Sequence, residues 1–206
     1  MTAHKRVAIL GGTFNPIHNG HIALAHAFAE LLELDEVLLM VDRVPPHKSA
    51  PDLASGADRM AMAELARQTE PLLRPCDLEL HRRGKSYTYA TLRWLCRRHP
   101  DTEYYFLTGA DMFLTLHQWR RPQEICRRAV ICAAPRDAQS EAMLRAYAPR
   151  VEAMGGRSVI ASFVPPPISS TQVRARAARG ESLAGLVPQA VAEYIHTHGL
   201  YQHREP

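Results

Sequence analysis

No apolar run in the 206 residues approaches the roughly 18 to 20 needed to cross a bilayer, so a membrane-spanning helix is not expected. Cysteine is scarce. Cys76, Cys96, Cys126 and Cys132 form no Cys-x-x-Cys pair and follow no regular spacing. That argues against a disulfide framework or a zinc site and predicts idle or buried thiols in a reducing compartment. The stretch from Met1 to Arg6 is too brief for a signal peptide and lacks a small-residue cleavage site. A cytoplasmic protein is therefore expected. Two phosphate-binding motifs are also missing. Gly84-Lys85-Ser86 resembles the end of a P-loop, but Glu79 stands where that loop needs its first glycine. No G-x-G-x-x-G follows the first strand-like run, which excludes the usual dinucleotide fingerprint.

What is present is an ordinary globular composition, 46% apolar and 22% charged, with a net charge of +4. Arginine pairs at Arg82-Arg83, Arg97-Arg98, Arg120-Arg121 and Arg127-Arg128 suit a polyanionic ligand. They are dispersed among apolar helical positions, and no aromatic-basic pattern of an RNA-binding surface accompanies them. Solvated helix faces account for most of them, and neither nucleic acid nor membrane is an expected partner.

Along the chain, β-rich runs alternate with helical patterns. Strands are predicted at Arg6 to Gly12, Glu36 to Val41, Leu72 to Leu80, Glu103 to Leu107, Ala129 to Ala134 and Val159 to Val164. Helices are predicted at Gly20 to Leu34, Gly56 to Gln68, Thr88 to Arg98, Asp111 to Trp119, Pro122 to Arg127, Glu141 to Tyr147, Thr171 to Arg179 and Pro188 to His196. Ser55, with Asp58 three residues on, is a plausible N-cap for the second helix. The expected fold is α/β, a mostly parallel Rossmann-like sheet with helices on both faces. Absence of repeats or linkers favours a single domain over 1–206, with a helical C-terminal part from about residue 169. Ligands of such folds bind beyond the carboxyl ends of the strands.

The turn after the first strand reads Gly11-Gly12-Thr13-Phe14-Asn15-Pro16-Ile17-His18-Asn19-Gly20-His21. Gly11 and Gly12 allow a phosphate or sugar to approach the backbone, and Pro16 stiffens the loop. Gly20 clears the entrance of a helix whose free N–H groups and dipole favour anions. His18 and His21 can both donate hydrogen bonds to phosphate oxygens. A metal pair is disfavoured because no carboxylate or cysteine stands beside them at ligand spacing. Far along the chain, Ser169, Ser170 and Thr171 open another predicted helix, and Arg174 follows one turn in. Alone this is a plain N-cap with an exposed arginine. Together with the first motif it suggests a triphosphate held between two helix N-termini.

The string G-T-F-N-P-I-H-N-G-H resembles the first signature of the nucleotidylyltransferase superfamily, and Ile168 to Arg174 resembles its second, I-S-S-T-x-[IV]-R. Three internal segments resemble nicotinate-nucleotide adenylyltransferases in particular. They are Val44-Pro45-Pro46-His47-Lys48, Lys85 to Leu92 with its S-Y-T element, and Leu107-Thr108-Gly109-Ala110-Asp111 followed by Trp119. The resemblance runs from about residue 6 to 200. Asn15 departs from it, standing where the family often has aspartate.

The resemblance implies adenylyl transfer from ATP to nicotinate mononucleotide, giving nicotinate adenine dinucleotide and pyrophosphate in NAD biosynthesis. It places His18 and His21 on the α- and β-phosphates, and Arg174, Ser170 and Thr171 on the β- and γ-phosphates. Gly11, Gly12, Thr13, Phe14, Gly20, Gly109, Asp111 and Ser169 complete the implied ATP site. Thr13, Lys48, Tyr87, Thr88, Asp111 and Trp119 make up the implied mononucleotide site. Asp111 could accept from ribose hydroxyls or cap a helix, and Trp119 could stack on the pyridine ring or belong to the core. Tyr87 and Thr88, at a helix start, would favour a carboxylate over an amide. Arg136 faces phosphates or simply solvent. Mg²⁺ bound mainly through ATP phosphates and water is the implied cofactor, and a homo-oligomer is compatible. The competing readings are an enzyme preferring nicotinamide mononucleotide or another phosphorylated acceptor, and a non-catalytic nucleotide-binding protein.

Overall fold

A computed structural model describes residues 4–43, 53–82 and 84–202. The PPHK segment, Lys48 included, and Arg83 lie outside the described residues. The elements run β1 (Lys5–Gly12), α1 (Asn19–Leu32), β2 (Glu36–Val41), α2 (Gly56–Arg67), β3 (Leu73–Cys76) and α3 (Thr88–Arg98). They continue with β4 (Thr102–Gly109), α4 (Ala110–Leu114), a 3-10 turn (Leu116–Gln118), α5 (Pro122–Arg128) and β5 (Val130–Ala134). The chain closes with α6 (Ala138–Ala153), β6 (Ser158–Ile160), α7 (Ser170–Ala178) and α8 (Gln189–Thr197).

Among the described residues, six strands form one sheet in the order β3-β2-β1-β4-β5-β6, and every neighbouring pair is parallel. Burial on both faces explains the unbroken apolar runs of β1, β4 and β5, because alternate side chains enter different cores. Ala8 and Leu10 join Leu24, Ala25 and Phe28 of α1, Met62 and Ala63 of α2, and Val173 and Val191 of the last two helices. Val7 and Ile9 join Leu92 and Leu95 of α3, Phe113 of α4, Ile125 of α5, and Leu144 and Val151 of α6. The chain order reverses direction across the sheet between β1 and β4. The crevice beyond their carboxyl ends is where this topology places ligands.

Several element boundaries differ from the sequence reading for identifiable reasons. The first helix stops at Leu32 rather than Leu34, because Glu33 turns left-handed (φ 48°) and Leu34 N–H bonds back to the Ala29 carbonyl. The third strand ends at Cys76 instead of Leu80, since the Asp77 carbonyl accepts from the Leu80 and His81 N–H groups and closes a turn. Pro75 is tolerated there because β3 lies at the sheet edge. The helix expected over Asp111 to Trp119 is broken at Thr115, whose hydroxyl donates to the Asp111 and Met112 carbonyls. Conversely, the helix expected over Glu141 to Tyr147 runs from Ala138 to Ala153 and passes through Pro149. Asp137 and Ser140 cap its start reciprocally, and buried Leu144 and Tyr147 before the proline, with Val151 after it, hold it in the core.

Gly156 marks the tightest packing against this frame. A Cβ there would lie 2.7 Å from Cys126 Cβ and 2.8 Å from its carbonyl oxygen, where neither α5 nor β6 can yield freely. Gly156→Ala is expected to destabilise the fold by about 1–3 kcal/mol, the usual cost of overpacking. Urea unfolding checks this, and a loss below about 0.5 kcal/mol, the range of a neutral surface change, would contradict the packing account.

Candidate active site

The loop joining β1 to α1 carries the first motif into the crevice. Phe14, Asn15, Ile17 and His18 are buried, so the loop is part of the interior rather than a surface excursion. Phe14 sits at positive φ (47°), and a Cβ on Gly12 would press its ring at 3.2 Å. Glycine at 12 thus follows from packing within the loop. Gly11 is different, because a Cβ there meets only Phe106 at an ordinary 3.9 Å.

His18 is the N-cap residue of α1, and its backbone N–H donates to His21 Nδ1 at 3.2 Å. The two rings stack with centroids 3.6 Å apart, and Phe14 meets His21 edge-on at 5.1 Å. Accepting at Nδ1 leaves the neutral His21 ring with its proton on Nε2, away from the cap. Burial lowers the pKa of His18 to about 4, and burial with the neighbouring His18 lowers that of His21. Both imidazoles are therefore uncharged at neutral pH, each with one ring N–H to donate and one nitrogen to accept. Among the described residues, His18 Nδ1 is buried without a hydrogen-bond partner. Glycine at 20 leaves close room beside it, since a Cβ there would stand 3.1 Å from that nitrogen and 3.2 Å from the Pro166 carbonyl oxygen.

The second motif docks on the first. Ser169 caps α7 by accepting from Gln172 N–H, as its place in the sequence suggested. Ser170 Oγ donates to the Pro16 carbonyl at 2.9 Å, and Arg174 Nη1 donates to the Asn15 carbonyl at 2.9 Å. Arg174 Nη2 lies 3.4 Å from Thr171 Oγ1. The two helix N-termini are thereby joined through the loop between them. Asn15 itself accepts at Oδ1 from Ala54 N–H and from the Tyr201 hydroxyl, which draws the C-terminal part of the chain to the same loop.

The other wall of the crevice begins where β4 ends. Gly109 is the N-cap residue of α4 and would meet nothing within 4 Å if it bore a Cβ. Asp111 lies inside the first turn and does not cap it; its carboxylate pairs with Arg136 Nη2 at 2.6 Å. Arg136 thus reaches across from the end of β5, though both side chains are largely exposed. Trp119 is half-buried and meets Phe106 of β4 edge-on at 5.9 Å. Tyr87 is the N-cap residue of α3, with Thr88 its first helical residue, as the sequence pattern predicted.

Two features escaped the sequence reading. Arg120 lies over the Tyr87 ring at 4.8 Å, and Arg121 over Tyr89 at 4.9 Å, so the Arg120-Arg121 pair faces α3. Arg59 is the larger omission. It is 1% exposed and donates to the Thr13 and Asp42 carbonyls at 2.8 and 2.7 Å. The signal was an arginine on the apolar stripe of α2, in register with Met62, Ala63 and Ala66.

Comparison with known proteins agrees with this arrangement. The family described as cytidylyltransferase-like matches residues 9–176. A curated relative from Lactiplantibacillus plantarum, named "Probable nicotinate-nucleotide adenylyltransferase", is 38% identical over 98% of this chain and 90% of its own length. Another of that name, from Synechococcus sp., is 41% identical over 96% of this chain and 95% of its own. The chain belongs to the nicotinate-nucleotide adenylyltransferase family. Its fold is also that of the Plasmodium falciparum nicotinic acid mononucleotide adenylyltransferase complexed with NaAD, with a TM-score of 0.77 and 19% identity. That match covers 96% of this chain and 98% of the other. Among the described residues, no helix is long and apolar enough to cross a membrane. Nor, among those residues, are three His, Cys, Asp or Glu side chains grouped to hold a metal.

The histidine pair makes stability depend on pH. Unfolded His18 takes up a proton near its ordinary value of about 6.5, whereas folded His18 refuses it down to about 4. Its neutral form therefore stabilises the fold fully above the unfolded value, and that contribution is lost as pH falls between the two. Unfolding free energy measured from pH 7 to pH 5 is expected to fall with decreasing pH, with a shallower slope in His18→Gln. An unchanged slope in the variant would remove His18 as the cause.

Proposed function

We propose that the chain transfers the adenylyl group of ATP to nicotinate mononucleotide, releasing pyrophosphate and forming nicotinate adenine dinucleotide. The observation that carries this reading is the stacked, uncharged His18–His21 pair at the entrance of α1, joined through the loop to the start of α7. It is supported by the curated relatives and by the P. falciparum neighbours, one complexed with NaAD and one with APC.

In the reaction, a phosphate oxygen of the mononucleotide attacks the α-phosphorus of ATP. A new P–O bond forms as the bond from the α-phosphorus to the bridging oxygen breaks, and pyrophosphate leaves with that electron pair. Negative charge spreads over the phosphoryl oxygens, so catalysis rests on alignment and on fixed donors. His21 offers its Nε2–H to those oxygens without a proton-transfer step, and His18 offers a second ring beside it. Arg174 directs one N–H to the Asn15 carbonyl and another toward Thr171 Oγ1; its remaining donors suit the β- and γ-phosphates, beside the backbone N–H groups of Ser170 and Thr171, since the Ser170 hydroxyl is already given to Pro16. Asp111, held by Arg136, would accept from ribose hydroxyls. The start of α3 at Tyr87 and Thr88 would favour the carboxylate of the pyridine ring, and Trp119 would lie against that ring. Lys48 belongs to this assignment on the sequence alone. Mg²⁺ held by ATP phosphates and water fits a donor set of neutral imidazoles and arginines. It would supply further screening of phosphate charge.

A pyrophosphate-release assay with ATP and separate acceptors tests the reading. Nicotinate mononucleotide is expected to give the highest kcat/KM, and a preference for nicotinamide mononucleotide or phosphopantetheine would overturn the acceptor. His21→Ala should retain the fold by circular dichroism and lower kcat by roughly 10² to 10³, as loss of a transition-state donor does. Near-normal turnover in that variant would take His21 out of the mechanism.

A further inference from the structure

The guanidinium of Arg59 is buried, and no step above uses it. All three of its nitrogens are directed at oxygens. Nη1 reaches the Thr13 and Asp42 carbonyls at 2.8 and 2.7 Å, and lies 3.5 Å from Asp42 Oδ1. Nε reaches the Ala54 carbonyl at 3.1 Å, and Nη2 lies 3.4 Å from the Arg43 carbonyl. The same residues close on each other, because Thr13 Oγ1 donates to Asp42 Oδ2 at 3.1 Å and Asp42 N–H donates to the Gly12 carbonyl at 3.1 Å.

Thr13 is thus held at two points, its carbonyl by Arg59 and its hydroxyl by the Asp42 carboxylate that Arg59 also approaches. An apolar side chain on α2 would fill the same space without taking a charge out of water. What the guanidinium adds is direction: planar, rigid donors that set where Thr13 stands relative to the end of β2. The helix that carries it is itself anchored, through Ser55 capping its start and the Tyr194 hydroxyl donating to Asp58 at 3.0 Å.

We propose that Arg59 is a positioning residue for adenylyl transfer, locking Thr13 and Asp42 into the geometry that receives the substrates. The inference rests on the reaction assigned above. In this role Arg59 acts through Thr13, whose carbonyl it holds. An error of about 1 Å in such a support is enough to cost up to a hundredfold in rate.

The test compares Arg59→Met, Arg59→Lys and Met62→Ala, the last a cavity variant one turn further along the same helix. Thermal unfolding, kcat, KM for each substrate and ATP affinity by calorimetry are measured at a temperature where all are folded. Arg59→Met is expected to lower kcat about 10- to 100-fold, and Arg59→Lys to recover part of that loss. Met62→Ala should lower Tm yet keep kcat within about twofold, since its cavity removes packing but none of the hydrogen bonds to Thr13 and Asp42. Kinetic constants for Arg59→Met within about twofold of wild type, the precision expected of uncoupled sites, would leave Arg59 a purely structural residue and overturn the proposal. Should Arg59→Met fail to fold, Arg59→Lys decides in its place: reduced kcat supports positioning, and wild-type kcat overturns it. If the wild type releases no pyrophosphate with any acceptor, the assigned reaction fails instead. Positioning is then read from calorimetry: weaker ATP binding in Arg59→Lys but not in Met62→Ala supports it, and unchanged affinity overturns it.

Discussion

The carbonyl groups of a buried loop must find donors, and the loop after β1 has no ladder to supply them. Thr13, Asn15 and Pro16 find them instead in side chains from distant parts of the chain: Arg59 on α2, and Arg174 and Ser170 on α7. Leaving any of these carbonyls unpaired would carry a desolvation cost of about 1–3 kcal/mol, so the outer helices are bound to their places by the needs of the loop. Asn15 extends the same arrangement through its side chain to Ala54 and Tyr201. The residues of this buried loop are therefore held by donors from several distant segments.

Charge is arranged to match. The histidines are kept neutral by burial, so they contribute directed donors rather than net charge. Positive charge comes from side chains around them: Arg174 at the loop, Arg136 against Asp111, and Arg120 over Tyr87. Neutral rings with directed donors and separate charged arginines together suit a polyanionic ligand. That is the division of labour that phosphoryl chemistry requires when no side chain forms a covalent intermediate.

Much of the fold was legible because hydrophobic period and capping chemistry agreed locally. The limits of β2 and α3 were read to the residue, and Ser55 was recognised as the cap of α2. The departures from that reading have separate physical causes. At Glu33 a non-glycine residue takes the left-handed conformation that normally signals glycine. At Thr115 a hydroxyl competes with the backbone for helical carbonyls. At Pro149 packing of Leu144, Tyr147 and Val151 overrides the residue that should end the helix. Only at Pro149 do tertiary contacts outweigh a local preference, one worth about 3 kcal/mol; at Glu33 and Thr115 the deciding contacts are local hydrogen bonds. In the site, His18, His21, Gly20 and the Ser169 cap were visible because their spacing carries their chemistry. Arg59 was not, since an arginine within an apolar stripe gives no hint of which carbonyls it will meet.

The sequence by itself determined the alternating α/β order, the two signature segments and the family, because these depend on periodicity and on residue types at short spacing. Only the tertiary structure decided that Arg174 and Ser170 reach the loop carbonyls, that Asp111 pairs with Arg136, and that Arg59 locks Thr13 to Asp42. Each of those contacts joins residues between 25 and 159 positions apart, or 46 in the case of Arg59 and Thr13. The donors and acceptors are fixed by residue type, but their pairing exists only once the sheet has set the order in which the strands and helices stand side by side.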